Sequence, residues 1–101
     1  MAFPLDAGNL YAQAATIMST AKAPDWKSVE TEANRAIAAD ADNGRANYIA
    51  GVAAARTNDT KGALAYMNKA KASPQYGRDA AFAKQVDAAL KTLVEGASVG
   101  P

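Results

Sequence analysis

The side chains in this sequence that could do chemistry are carboxylates and serines, because histidine and cysteine are both absent. Without histidine the chain lacks the usual general base near neutral pH and the commonest metal ligand. Without cysteine it lacks a thiolate nucleophile, a disulfide and sulfur-ligated metals, and its redox compartment is left open. Ser19, Ser28, Ser73 and Ser98 therefore have no imidazole to activate them, and no glycine-rich phosphate loop accompanies them. The run Asp40-Ala41-Asp42-Asn43-Gly44 has the outline of a calcium loop, which needs glycine at its sixth position and a bidentate glutamate at its twelfth. Here Gly44 is fifth and Gly51 twelfth, so the run reads as a connecting loop. Glu30 and Glu32 point to different sides of one helix, and Asp40 and Asp42 fall in a turn facing water. Neither pair forms the enclosed couple that splits two proton affinities for acid–base catalysis. The expectation is a non-enzymatic chain with no catalytic residues, metal or cofactor.

The elements that would hold any functional surface are helical. At 101 residues the chain makes one domain with a modest core. Half of its residues are apolar but only 7% are aromatic, and roughly a quarter are alanine, so helices form readily, pack closely and enclose a thin core. Pro24, Asp42-Asn43-Gly44, Asn58-Asp59 and Ser73-Pro74 punctuate the sequence. They predict five helices near 8–22, 25–40, 44–57, 60–72 and 77–95, joined by connections short enough to make neighbours antiparallel. Val29, Ala33, Ala36 and Ile37, and again Phe82, Val86, Leu90, Leu93 and Val94, recur at helical spacing. Asp25 is placed to cap the helix that begins at Trp26, and Asp59 or Thr60 to cap the fourth. Trp26, just after its cap, reads as a core anchor, and Lys69 and Lys71 suit the negative end of their helix. Residues 1–9 form an extended lead-in and 96–101 a flexible tail.

A net charge of +1 is too balanced to neutralise many phosphates or to hold an anionic membrane surface, so no nucleic-acid partner is expected. Met1 to Asn9 show no signal-peptide pattern, and no run of apolar residues is long enough to span a bilayer. The chain thus reads as soluble, without membrane insertion and with its compartment unspecified.

Shifting the sequence against itself by thirty-four residues places Asp25 on Asp59, Lys27 on Lys61, Asn34 on Asn68, Ala36 on Ala70 and Ala38 on Ala72. That period is typical of stacked helix pairs, since a lone hairpin cannot bury its apolar face. Over Gly44–Gly77 the chain resembles the tetratricopeptide repeat family. Tyr48, Ala50 and Gly51 match its first-helix packing residues, Asn58-Asp59 its turn, and Ala63, Met67 and Ala70 its second helix. Pro74 falls one residue before the family's closing proline. The unit 10–43 matches more loosely, with Trp26 and Ala36 in place but Ile17 where a small residue belongs and Ala33 where a large one does. Residues 78–95 fit a capping helix. The resemblance implies an all-α fold of antiparallel hairpins stacked as a short superhelix of about five helices over residues 10–95. A plain five-helix bundle is the alternative.

The resemblance also implies a concave face lined by first helices. Its candidate partner-binding residues are Tyr11, Met18, Lys22, Arg45, Tyr48, Val52, Arg56, Phe82 and Val86, with Ala14, Asp79 and Leu90 on the same faces. Aromatic, flexible apolar and basic groups together suit a protein or peptide partner with some acidic character. On this reading Tyr48 and Arg56 serve the partner and can be replaced without loss of folding. The alternative is a structural or oligomerisation domain whose apolar face is covered by the Phe3-Pro4-Leu5 segment, the last helix or a second copy of the chain.

Overall fold

The computed structural model describes residues 25–99, and among them there are five helices and no strand. They are α1 (Trp26–Ala39), α2 (Gly44–Arg56), α3 (Thr60–Lys71), α4 (Pro74–Arg78) and α5 (Ala80–Val99). The all-α expectation holds. The lead-in 1–9 and the helix expected at 8–22 lie outside the described residues.

Four of the five described helix starts are fixed by a short polar side chain that satisfies an otherwise orphaned amide, the exception being α4. The Asp25 carboxylate accepts from the Ser28 amide and, at 2.9 Å, from the Ser28 hydroxyl. Asn43 Oδ1 accepts from the Ala46 amide at 3.0 Å, Asp59 Oδ1 from the Gly62 amide at 2.9 Å, and Asp79 Oδ1 from the Phe82 amide at 3.1 Å. The ends are equally defined. After α2, Asn58 takes a φ of 65°, Asp59 N–H donates to Ala54 O at 2.8 Å and Asn58 N–H to Ala55 O at 3.2 Å. These are the two bonds of a Schellman motif, and asparagine is among the few residues that tolerate the left-handed position it requires. Asp59 thus closes one helix with its amide and opens the next with its carboxylate.

Two boundaries differ from those the sequence predicts. The expected helix 77–95 is preceded by α4, because Pro74 occupies a first-turn position where its missing N–H is no loss. Asp79 is extended (φ −123°, ψ 102°) and breaks α4 from α5. At the other end α5 continues through Gly96 to Val99, four residues beyond the expected helix end at 95. A single helical glycine costs only about 1 kcal/mol relative to alanine, and no proline intervenes before Pro101.

Packing follows chain order, with α1 against α2, α2 against α3, and α3 against α5, while α4 fills the corner between α2, α3 and α5. The α2–α3 crossing is tight at Gly51. A Cβ placed on Gly51 would lie 2.9 Å from Met67 Cε and 3.3 Å from the Ala63 carbonyl, so any side chain here obliges the fully buried Met67 to shift. Val29, Ala33, Ile49, Ala50 and Ala53 form one core cluster, flanked by Trp26, Ile37, Tyr48 and Tyr66. Ala70, Phe82 and Val86 form another, flanked by Tyr48, Tyr76 and Leu90. Two tyrosine hydroxyls tie elements together: Tyr66 donates to Asn34 at 3.0 Å, linking α3 to the non-consecutive α1, and Tyr76 donates to Asp87 at 2.8 Å, linking α4 to α5.

Replacing Gly51 with leucine overpacks the α2–α3 crossing and is expected to lower unfolding free energy by about 1–3 kcal/mol in urea titration; wild-type stability would place the crossing elsewhere. At Asn58, glycine is expected to be neutral or stabilising and valine to cost about 1–2 kcal/mol, measured the same way. The Tyr76 phenol is raised above its ordinary value, chiefly because Asp87 accepts its hydrogen bond and secondarily through desolvation. The protonated phenol is the form the fold favours, so this contribution is complete at neutral pH and is lost as pH climbs through the raised value. A Tyr76→Phe variant should accordingly lose the alkaline part of the wild-type stability profile, and an unchanged profile would remove the contact from the account.

A candidate binding groove between the second and fifth helices

The residues that line a broad concavity among the described residues come from two faces at helical spacing. From α2 they are Tyr48, Val52, Ala55 and Arg56; from α5 they are Gln85, Ala88, Ala89, Thr92 and Leu93; Met67 of α3 lies at the floor. The groove has a volume of about 610 Å³. Ala88, Ala89 and Thr92 of α5 are small and leave the space between the walls, while Phe82 and Val86 of the same helix pack on Ala70. A second recess of about 360 Å³ contains Arg45, Ile49, Asp79 and Phe82 and shares Tyr48 and Gln85 with the first. The two concavities therefore form one track along the same side of the molecule.

The sequence-derived candidates divide accordingly. Tyr48, Val52 and Arg56 line the larger concavity, and Arg45, Tyr48 and Phe82 the smaller. Val86 is 0% exposed and belongs to the core, which corrects its assignment to the partner-binding face. Phe82 is 5% exposed and packs mainly on that same core, presenting only an edge. Tyr11, Met18 and Lys22 lie outside the described residues. Sequence reasoning missed Ala55, Gln85, Ala88, Ala89, Thr92 and Leu93. Residues 85, 88, 89 and 92 do recur at helical spacing, but small and polar side chains carry no hydropathy signal to distinguish a groove wall from an ordinary solvated face.

Two of the candidates also contact aromatic side chains of the fold. The Tyr48 ring meets Phe82 edge-on, with centroids 6.1 Å apart and planes at 69°, and it flanks both main core clusters. An edge-to-face pair of this kind contributes roughly 0.5–1.5 kcal/mol beyond the area it buries. The Arg56 guanidinium lies 5.6 Å from the Trp26 ring centroid, so its charge is already engaged with an aromatic face. Trp26 is half-buried against the first cluster, the anchoring role its place after the cap implies.

Electrostatically the track is mild. Arg56 is the one charged residue among the described lining of the larger concavity, and Arg45 shares the smaller one with Asp79. In the polar run between α1 and α2, Asp40 Oδ1 accepts from the Asp42 amide at 3.1 Å, and Asn43 caps α2. Among the described residues no three acidic side chains come together as a metal-holding group, and no helix is long and apolar enough to cross a membrane. Comparison of the chain with protein-family models, with curated proteins and with solved structures finds no match.

Proposed function

We propose that this chain is a non-enzymatic protein-interaction module that takes a peptide or protein segment along the groove between α2 and α5, on a tetratricopeptide-like scaffold. The observation that carries the reading is the groove itself: an open, largely apolar track whose walls are helical and whose large side chains are held by the core behind them. Rigid walls reduce the ordering cost of binding, which is where such modules gain affinity. The small residues Ala55, Ala88 and Ala89 leave room for an incoming apolar side chain above Met67. Arg56 at one end favours an acidic residue opposite it. Stacking of α1, α2, α3 and α5 in chain order, with the cross-links Tyr66 to Asn34 and Tyr48 to Phe82, supports the repeat-like scaffold.

A second reading, self-association in a larger assembly, draws on Val94, which is 54% exposed on α5 near the half-buried Leu93. Peptides selected from a display library against the protein are expected to shift the amide resonances of Val52, Ala88, Ala89 and Leu93. Ala88→Arg and Thr92→Arg project from exposed helix positions into the groove and should weaken such peptides about tenfold or more, or ~1.4 kcal/mol, without moving the melting temperature. Peptides that bind both variants as tightly as wild type would refute the groove as the site. Mass in solution over a hundredfold concentration range separates the readings, since a dimer that protects α5 would favour assembly.

A further inference from the structure

The junction between α1 and α2 contains a labile chemical pair that the packing itself requires. Asn43 must carry a short polar side chain to cap α2, and it is 0% exposed. Gly44 must lack a side chain, because any Cβ there would collide with Ser73 Oγ and lie 2.9 Å from Ser73 Cβ. The two demands place asparagine directly before glycine, and Asn43 is the one asparagine in the chain so followed. In an unstructured chain this pair degrades without a catalyst. The Gly44 backbone nitrogen attacks Asn43 Cγ, loses its proton and forms a C–N bond, and the side-chain nitrogen leaves as ammonia. Water then opens the resulting succinimide at either C–N bond to give aspartate or isoaspartate.

We infer that Asn43-Gly44 is a spontaneous deamidation site that the fold holds shut, with Gln75 as its guard. The attack requires a Gly44 nitrogen free to give up its proton and a carboxamide free to turn its face toward that nitrogen. Both are pinned. The Gly44 N–H donates to Gln75 Oε1 at 3.0 Å, across 31 residues of chain. The Asn43 carboxamide is held by the Ala46 amide at 3.0 Å, and the Asn43 carbonyl accepts from the Asn47 side chain at 3.0 Å and the Asn47 amide at 3.1 Å. Reaction therefore waits on local opening of the α2 start away from α4. Once it occurs it is irreversible: isoaspartate adds a methylene to the main chain and misplaces the cap, while aspartate puts a carboxylate where there is no exposure to water.

The test is peptide mapping with isoaspartate quantification after incubation of the whole chain at mildly alkaline pH, folded and in urea. In urea Asn43 should be lost faster than every other asparagine, and in the folded chain about tenfold or more slowly. Gln75→Ala should accelerate loss in the folded chain severalfold, whereas Gln75→Glu, which keeps an acceptor for the Gly44 N–H, should restore protection. If Gln75→Ala does not fold, sub-denaturing urea on wild type replaces it, and deamidation and Gly44 amide exchange should rise in parallel. Equal rates in folded and unfolded chains would overturn the inference. So would a folded Gln75→Ala that ages at the wild-type rate, or a urea series in which the two rates diverge.

Discussion

The rest of this structure depends on how closely α2 can approach α3. That distance is tightest where Gly51 faces Met67 and the Ala63 carbonyl, a contact that leaves a Cβ no room unless Met67 shifts. Around it the core is built largely from alanine: Ala50, Ala53, Ala54, Ala63 and Ala70 are all fully buried. Small residues bring helix axes near the short end of their usual range, and dispersion between backbones then supplies much of the cohesion that large side chains provide elsewhere. Such a core buries little apolar area per residue. Its helix ends are correspondingly well made, and four of the five starts carry a side-chain cap.

These local devices are what the sequence displays most openly. Asp25 and Asp59 are legible as caps because an aspartate before a helical pattern has few other uses, and Asn58-Asp59 is legible as a corner because asparagine is suited to the left-handed turn. Helical spacing likewise reveals that Phe82 and Val86 share a face. It does not reveal what the face meets. Spacing gives an angle about one axis, and the neighbour at that angle is fixed only by tertiary packing, which here presents Phe82 and Val86 to Ala70 and leaves Gln85, Ala88 and Thr92 beside α2. The break at Asp79 was equally hidden, since one extended residue leaves the apolar pattern on either side intact. Glycine misleads in the opposite direction: Gly96 looks like a terminator and lies within α5.

The groove shows how few side chains a small domain can reserve for its surface. Tyr48 and Arg56 face the track, yet each is engaged from behind, by Phe82 and by Trp26. Residues with no such second duty, Ala88 and Thr92 above all, define the space by what they omit. The shape of the groove and the stability of the fold are therefore separable on the α5 wall and entangled on the α2 wall.

Tyr48 also bears on how the molecule comes apart. A stack in which each helix touches only its neighbours can fray from one end, repeat by repeat, with the remainder intact. Here a single ring belongs to the clusters on both sides of α2, the one anchored by Val29 and Ala33 and the one anchored by Phe82 and Val86. Peeling α5 away exposes a face of that ring and so weakens the grip on α1 as well. The aromatic side chain thus couples the two clusters, which favours their joint loss over sequential unzipping.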